Sequence, residues 1–237
     1  MSTAICLGGG EIGRLGIQDL LDEGARVLLV DPDENCSARL LCDRSVCSPD
    51  AVLESDEGEV LYLKGDGPAV LADVLHRWTP SKIVPAAPGH LAARLAMAWA
   101  NRTYRRLHPF GGSLLRVVDM LPPGTVQMLD SANGVLVASN MPSGMACRIE
   151  CGQPSVCPVT GNENPTPMYC LIDKALVEAA DRRSVLVTSG TRVGVLQGES
   201  IREMLDVLNN MEGGMTIAIA TSCRCHAIVN MFRLGGN

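Results

Sequence analysis

Three glycines at fixed spacing, with an acid one strand further on, are the residues of this chain best suited to hold a ligand. The turn Gly8-Gly9-Gly10-Glu11-Ile12-Gly13 satisfies G-x-G-x-x-G. In such a turn the first glycine permits the tight bend, the second lets main chain approach a pyrophosphate, and the third lets helix and strand pack closely. The helix that follows offers amide donors and a positive dipole to an anion. Asp31 stands close to the roughly 20-residue offset at which a carboxylate meets ribose hydroxyls. A carboxylate hydrogen-bonds a diol and repels a phosphate, so NAD(H) is the expected cofactor over its 2′-phosphorylated relative. Arg39 is the nearest cation downstream.

The chain has ten cysteines, and several are grouped. Cys147, Cys151 and Cys157 lie in one loop rich in Pro, Gly and Asn, and Cys223-Arg224-Cys225-His226 follows the apolar run Met215–Thr221. Three readings suit these thiols. Loop cysteines together with Cys223, Cys225 or His226 hold zinc or an iron-sulfur cluster; or they form a dithiol redox centre; or they are small buried side chains. Intervals of three and five residues match neither a zinc ribbon nor a ferredoxin run. The segment after Thr221 is expected to begin a helix, whose N-terminus would favour thiolate. Cys170 projects from the far side of an amphipathic helix, and Cys6, inside the first apolar run, reads as a core residue.

His90, in Pro88-Gly89-His90, is expected at the start of a helix and facing the crevice at the strand ends, the best-placed general acid or base of the chain. The alternative is a histidine that packs locally. Ser189-Gly190-Thr191 and Gly194 form a turn whose amides could meet an anion.

These groups need a frame. Ala4–Leu7, Arg26–Val30, Glu59–Leu63 and Lys82–Ala87 read as strands, and helical spacing follows Gly13, Glu34, Pro68 and Gly89. Alternating strands and helices predict parallel pairing with right-handed crossovers. The expected fold is therefore α/β: a Rossmann-like doubly wound parallel sheet, with a second, smaller α/β part carrying the Cys-rich loop. Residues 1–103 make the dinucleotide-binding domain, 104–115 a linker, and 116–237 the second part. In the latter, Val126–Leu129 and Val135–Ser139 flank Asn133-Gly134, a hairpin signature.

Over residues 1 to about 100, the glycine turn, the strand-end Asp31 and Gly65-Asp66 resemble the nucleotide-binding domain of potassium-uptake regulators of the TrkA or RCK type. The resemblance implies that Asp31 contacts ribose, that Asp66 lies beside the adenine, and that nucleotide sensing without catalysis is the alternative to an oxidoreductase. The stretch Gly8-Gly9-Gly10 with Leu20-Leu21-Asp22-Glu23-Gly24-Ala25-Arg26-Val27 is also similar to the dehydrogenase of siroheme synthesis, for about 30 residues.

Composition bounds the rest. With 20 basic and 26 acidic side chains in 237 residues the net charge is −6, and no basic run exceeds Arg105-Arg106, so nucleic acid is not an expected partner. Ile83–Ala100, the longest apolar stretch, is broken by Pro85, Pro88, His90 and Arg94 and does not read as a membrane span. No signal peptide is evident, which places the expected protein in the cytoplasm. The sequence is compatible with a homo-oligomer. The function expected is NAD(H) binding with a thiolate metal or redox site and, if catalytic, hydride transfer.

Overall fold

Apolar runs of four to six residues, each followed by a helical stretch, build the first part of the chain. The computed structural model describes residues 2–236 apart from 143, 146, 149, 150 and 191. In chain order the elements are β1 (Thr3–Leu7), α1 (Glu11–Asp22), β2 (Arg26–Asp31), β3 (Arg44–Ser45), β4 (Val60–Lys64), α2 (Gly67–Leu75), β5 (Lys82–Pro85) and α3 (Leu91–Arg102). There follow β6 (Leu107–Pro109), α4 (Leu114–Met120), β7 (Val126–Asp130), β8 (Val135–Ser139), α5 (Met168–Leu176) and β9 (Arg182–Val187). The chain ends with β10 (Leu196–Gln197), α6 (Gly198–Asn209), β11 (Thr216–Ser222) and β12 (His226–Leu234). It divides into two compact units, residues 1–98 with 189–202, and residues 99–188 with 203–237.

The first unit holds a six-stranded sheet in the order β10-β5-β1-β2-β4-β3. The β1, β2, β3, β4 and β5 strands are parallel, and β10 joins β5 antiparallel through Leu196↔Ile83. Strands buried on both faces read as continuous apolar runs; Ala4–Leu7 and Val27–Val30 are at most 1% exposed. One face packs Ile17 and Leu20 of α1 against Ala4, Cys6, Val27, Leu29 and Val84. Gly24 ends α1 at φ +73°, its N–H donating to the Leu21 carbonyl. The expected parallel sheet is thus a mixed one. Its antiparallel edge comes from residues far along the chain, which a two-residue strand gives no periodic signal to reveal.

The second unit is built on a sheet in the order β7-β8-β12-β11-β9, with β6 also pairing β12. Only β9 and β11 run parallel; the other pairs are antiparallel. One face of β8, β11 and β12 presents Leu136, Ala138, Ala218, Ala220, Ala227, Val229 and Met231 to α4 and α5, where Leu114, Val117, Met168, Ile172 and Leu176 complete a core. The expected hairpin is present: β7 pairs β8, and Gly134 takes φ +67° where a Cβ would stand 2.5 Å from the Met231 carbonyl oxygen.

Four expectations on organisation are corrected. Residues 104–115 are not a linker, since β6 pairs β12 and α4 starts at Leu114. Residues 189–202 belong to the first unit, and the second unit is not the smaller. No helix follows Cys225: His226 opens β12, whose residues 226–234 mostly alternate between partly and fully buried, as a strand does.

Candidate functional site

Each glycine of the turn is held for its own reason. Gly8 has φ +104°, and a Cβ there would lie 2.6 Å from the main chain of Ala86 and Ala87. At Gly13 a Cβ would meet the Gly8 carbonyl oxygen at 2.0 Å, so α1 starts close against the end of β1 because this residue lacks one. A Cβ at Gly10 would meet nothing within 4 Å. Gly10 is the N-cap of α1 and carries no side-chain cap, which leaves the helix N-terminus open to a ligand.

Gly9 is used differently from what the motif suggests. Its N–H donates to Asp31 Oδ2 at 2.6 Å, and its carbonyl accepts from Ala38 N–H at 2.8 Å and Ser37 Oγ at 3.0 Å. A phosphate cannot count on that amide. Asp31 Oδ1 accepts the Asp33 N–H at 2.7 Å, so both carboxylate oxygens are oriented by main chain, yet each retains acceptor capacity. Ile12 is 42% exposed. Glu11, exposed in the first turn of α1, pairs with Arg14 at 2.8 Å, and that hydrogen bond holds its carboxyl below the usual range.

A cavity of about 360 Å³ opens at the carboxyl ends of the parallel strands, lined among others by Gly8, Asp31, Asp66, Ala87, Pro88 and Arg94. That is within the roughly 300–1,000 Å³ of small-molecule sites. Asp66 therefore reaches the cavity, though its carboxylate has other duties: Oδ2 caps α2 by accepting from Ala69 N–H at 3.2 Å, and Oδ1 pairs with Arg94 at 2.9 Å. Arg94 also donates to the Pro88 carbonyl at 3.0 Å. It is the cavity residue that sequence reasoning missed; a cation in the first turn of the helix after β5 was the signal. His90 precedes α3 as expected but is buried to 8% exposure and is not among the residues lining this cavity. Arg39 lies over the Tyr62 ring, 5.1 Å from its centroid.

The Ser189 amide donates to Val195 and is spent within the turn, and Thr191 lies outside the described residues. Cys6 is fully buried, its thiol donating to the Gly8 carbonyl at 3.4 Å.

In the second unit the structure gathers much of the expected thiol group. Cys147, Cys151, Cys157 and Cys223 all lie close enough to Cys225 for their charges to oppose ionisation of its thiol, which burial and these neighbours push up to about 11. Cys147 and Cys151 are in side-chain contact. Cys223 Sγ accepts the N–H groups of Cys225 at 3.4 Å and His226 at 3.3 Å, and stands 3.5 Å from His226 Nδ1. Cys157 is similarly placed: bonds from the Thr160 hydroxyl and from the N–H groups of Thr160 and Val159 hold its thiol below the ordinary value. The tight turn at 223–225, between β11 and β12, supplies the donors that a helix N-terminus was expected to supply. Among the described residues no three His, Cys, Asp or Glu already stand in a metal-holding arrangement. Cys170 is exposed on α5, and it is absent from the charges acting on Cys225. No helix among the described residues is long and apolar enough to cross a membrane.

Residues 3–91 match the family model AF_1314_N, "Uncharacterized protein, N-terminal domain", and residues 92–235 match AF_1314_C, "Uncharacterized protein, C-terminal domain". A protein of Archaeoglobus fulgidus, described as "Uncharacterized protein", is 28% identical over 229 residues, covering 97% of this chain and 98% of that one. Among solved structures, N5-carboxyaminoimidazole synthetase from Staphylococcus aureus, complexed with ADP, aligns with 97% of this chain at 13% identity. This chain spans 47% of that protein's length, and the TM-score of 0.26 is too low for the likeness to define a fold.

Proposed function

This chain belongs to the family that the AF_1314_N and AF_1314_C models describe, and for it we propose that the first unit binds an adenine dinucleotide, NAD(H), at the carboxyl ends of its parallel strands. The observation that carries this reading is the pairing of an unobstructed Gly10 with the Asp31 carboxylate on the wall of the neighbouring cavity. Strand order supports it. Counted among themselves, β1, β2, β4 and β5 lie in the order 3-2-1-4, that of the first four strands of a Rossmann-like sheet, whose ligands bind beyond the strand ends.

Asp31 accepts from the adenosine ribose hydroxyls with the lone pairs that Gly9 and Asp33 leave unused. The open N-terminus of α1 receives the diphosphate, with the Gly10 main chain as its floor. Arg94 adds positive charge to a cavity wall that otherwise carries Asp31 and Asp66. A bound nicotinamide supplies hydride exchange, and the expected acid-base group for it, His90, is not a lining residue. The lining residues support binding of the nucleotide.

Mass analysis of nucleotide released from the purified protein, followed by calorimetry with NADH, NADPH and ADP-ribose, tests the reading. Saturable binding of NADH and ADP-ribose, with NADPH weaker, is the expected result. Indifference to all three would overturn it.

A further inference from the structure

The thiol group of the second unit is independent of the nucleotide site, and two of its members are already built as metal ligands are. A thiolate bound to a metal keeps excess negative charge, which main-chain N–H donors stabilise. Cys223 has two such donors, from the residues two and three positions on, and Cys157 has the same two-and-three pattern from Val159 and Thr160. The second turn is a small hairpin of its own: Cys157 N–H donates to the Asn162 carbonyl at 2.9 Å, Gly161 N–H to the Cys157 carbonyl at 2.8 Å, and Val156 bridges Glu163.

Ligand spacing adds a quantitative check. Zinc holds sulfur at about 2.3 Å and imidazole nitrogen at about 2.0–2.1 Å in a tetrahedron, so a sulfur and a nitrogen on one ion stand about 3.6 Å apart. Cys223 Sγ and His226 Nδ1 are 3.5 Å apart, one finished edge of such a tetrahedron. Between them in sequence, Arg224 donates from its guanidinium to the Asn164 carbonyl at 3.1 Å and buries its Nε without a hydrogen-bond partner among the described residues.

We propose that the second unit holds one tetrahedral zinc ion through Cys157 Sγ, Cys223 Sγ, His226 Nδ1 and one sulfur of the contacting pair Cys147 and Cys151. The ion replaces the protons of three thiols, which pass to solvent, and no electron moves. Three thiolates and a neutral imidazole on a divalent ion leave one net negative charge. Among the described residues only the Cys223–His226 edge is formed, so binding draws the hairpin of Cys157 and either Cys147 or Cys151 onto that edge. The site is consequently a staple for a long loop that has little core of its own, and its binding energy is folding energy.

The test uses the full chain, stripped with a chelator and titrated with zinc chloride under reducing conditions. The expected result is one zinc per chain by elemental analysis, a raised Tm, and, with cobalt(II) instead, the sulfur-to-metal charge-transfer band and visible bands of a tetrahedral thiolate site. Cys157→Ser, Cys223→Ser and His226→Ala should each weaken zinc binding at least tenfold, with Cys170→Ser and Cys47→Ser unchanged. Should those variants fail to fold, the wild-type cobalt spectrum alone decides whether three thiolates and a nitrogen are bound. No uptake of zinc, full affinity in all three ligand variants, or iron and sulfide in anaerobically purified protein would each overturn the proposal.

Discussion

The main-chain N–H of Gly9 and the carboxylate of Asp31 are joined across 2.6 Å, so the turn after β1 and the end of β2 are tied by the very group proposed to hold ribose. Replacing that group has two separable effects. Asp31→Asn keeps one acceptor oxygen, enough for the Gly9 N–H or the Asp33 N–H but not for both, and removes the charge; a hydrogen bond to a charged group is worth about 1.5–3 kcal/mol. NADH affinity should fall about tenfold or more by calorimetry, with discrimination against NADPH reduced and Tm lowered. Asp31→Ala strands both the Gly9 and the Asp33 N–H, adding a further stability loss of about 1–3 kcal/mol that denaturant unfolding would report.

Gly10 and Gly13 should answer to alanine in opposite ways. A Cβ at Gly10 meets nothing and its φ of −70° suits any residue, so Gly10→Ala should cost less than about 1 kcal/mol of stability while abolishing nucleotide binding. A Cβ at Gly13 would sit 2.0 Å from the Gly8 carbonyl oxygen. Gly13→Ala should therefore destabilise the first unit by about 1–3 kcal/mol or more, because α1 must move off β1. Urea unfolding and NADH titration of both variants separate the ligand role from the packing role; equal stability losses would remove the distinction.

Arg94 pairs with Asp66 where both side chains are substantially exposed, so the pair itself contributes at most about 1 kcal/mol. If the guanidinium serves the diphosphate, Arg94→Met should leave Tm nearly unchanged and weaken NADH severalfold, with a flatter dependence on salt. Titrations at low and moderate ionic strength check this; parallel salt dependence in wild type and variant would assign Arg94 to the fold alone.

The first unit was legible because its signals are local. A glycine turn between an apolar run and a helix, a glycine at φ +73° ending that helix, and an acid at a strand end are each read within a few residues. What failed was non-local or short. The two-residue strand β10 has no period to detect, and its pairing with β5 joins residues more than a hundred positions apart. His226–Leu234 was mistaken for a helix start through its Cys-rich approach, although alternation along Ala227, Val229 and Met231 was there to read. For the thiols, residue types and neighbourhood were visible, whereas the N–H groups that cradle Cys157 and Cys223 depend on turn conformations that spacing does not encode.

Asp181 and Thr216 clamp the amino-terminal ends of the parallel pair β9 and β11. Thr216 donates to Asp181 Oδ2 from its N–H at 2.7 Å and from its hydroxyl at 2.8 Å, while Asp181 N–H donates back to that hydroxyl at 3.1 Å. The Thr216 main-chain bond, then its hydroxyl, hold the Asp181 carboxyl below its ordinary range. A carboxyl that titrates lower in the folded chain contributes stability above the unfolded value of about 3.9 and loses it as pH falls through the folded one. The group is exposed, so solvent screening limits the contribution to about 1 kcal/mol. Asp181→Asn should thus unfold more readily than wild type at pH 7. The gap should close well below pH 4, where the wild-type carboxyl is protonated. Urea denaturation across that interval measures it, and a gap that persisted at low pH would mean the clamp acts through geometry rather than charge.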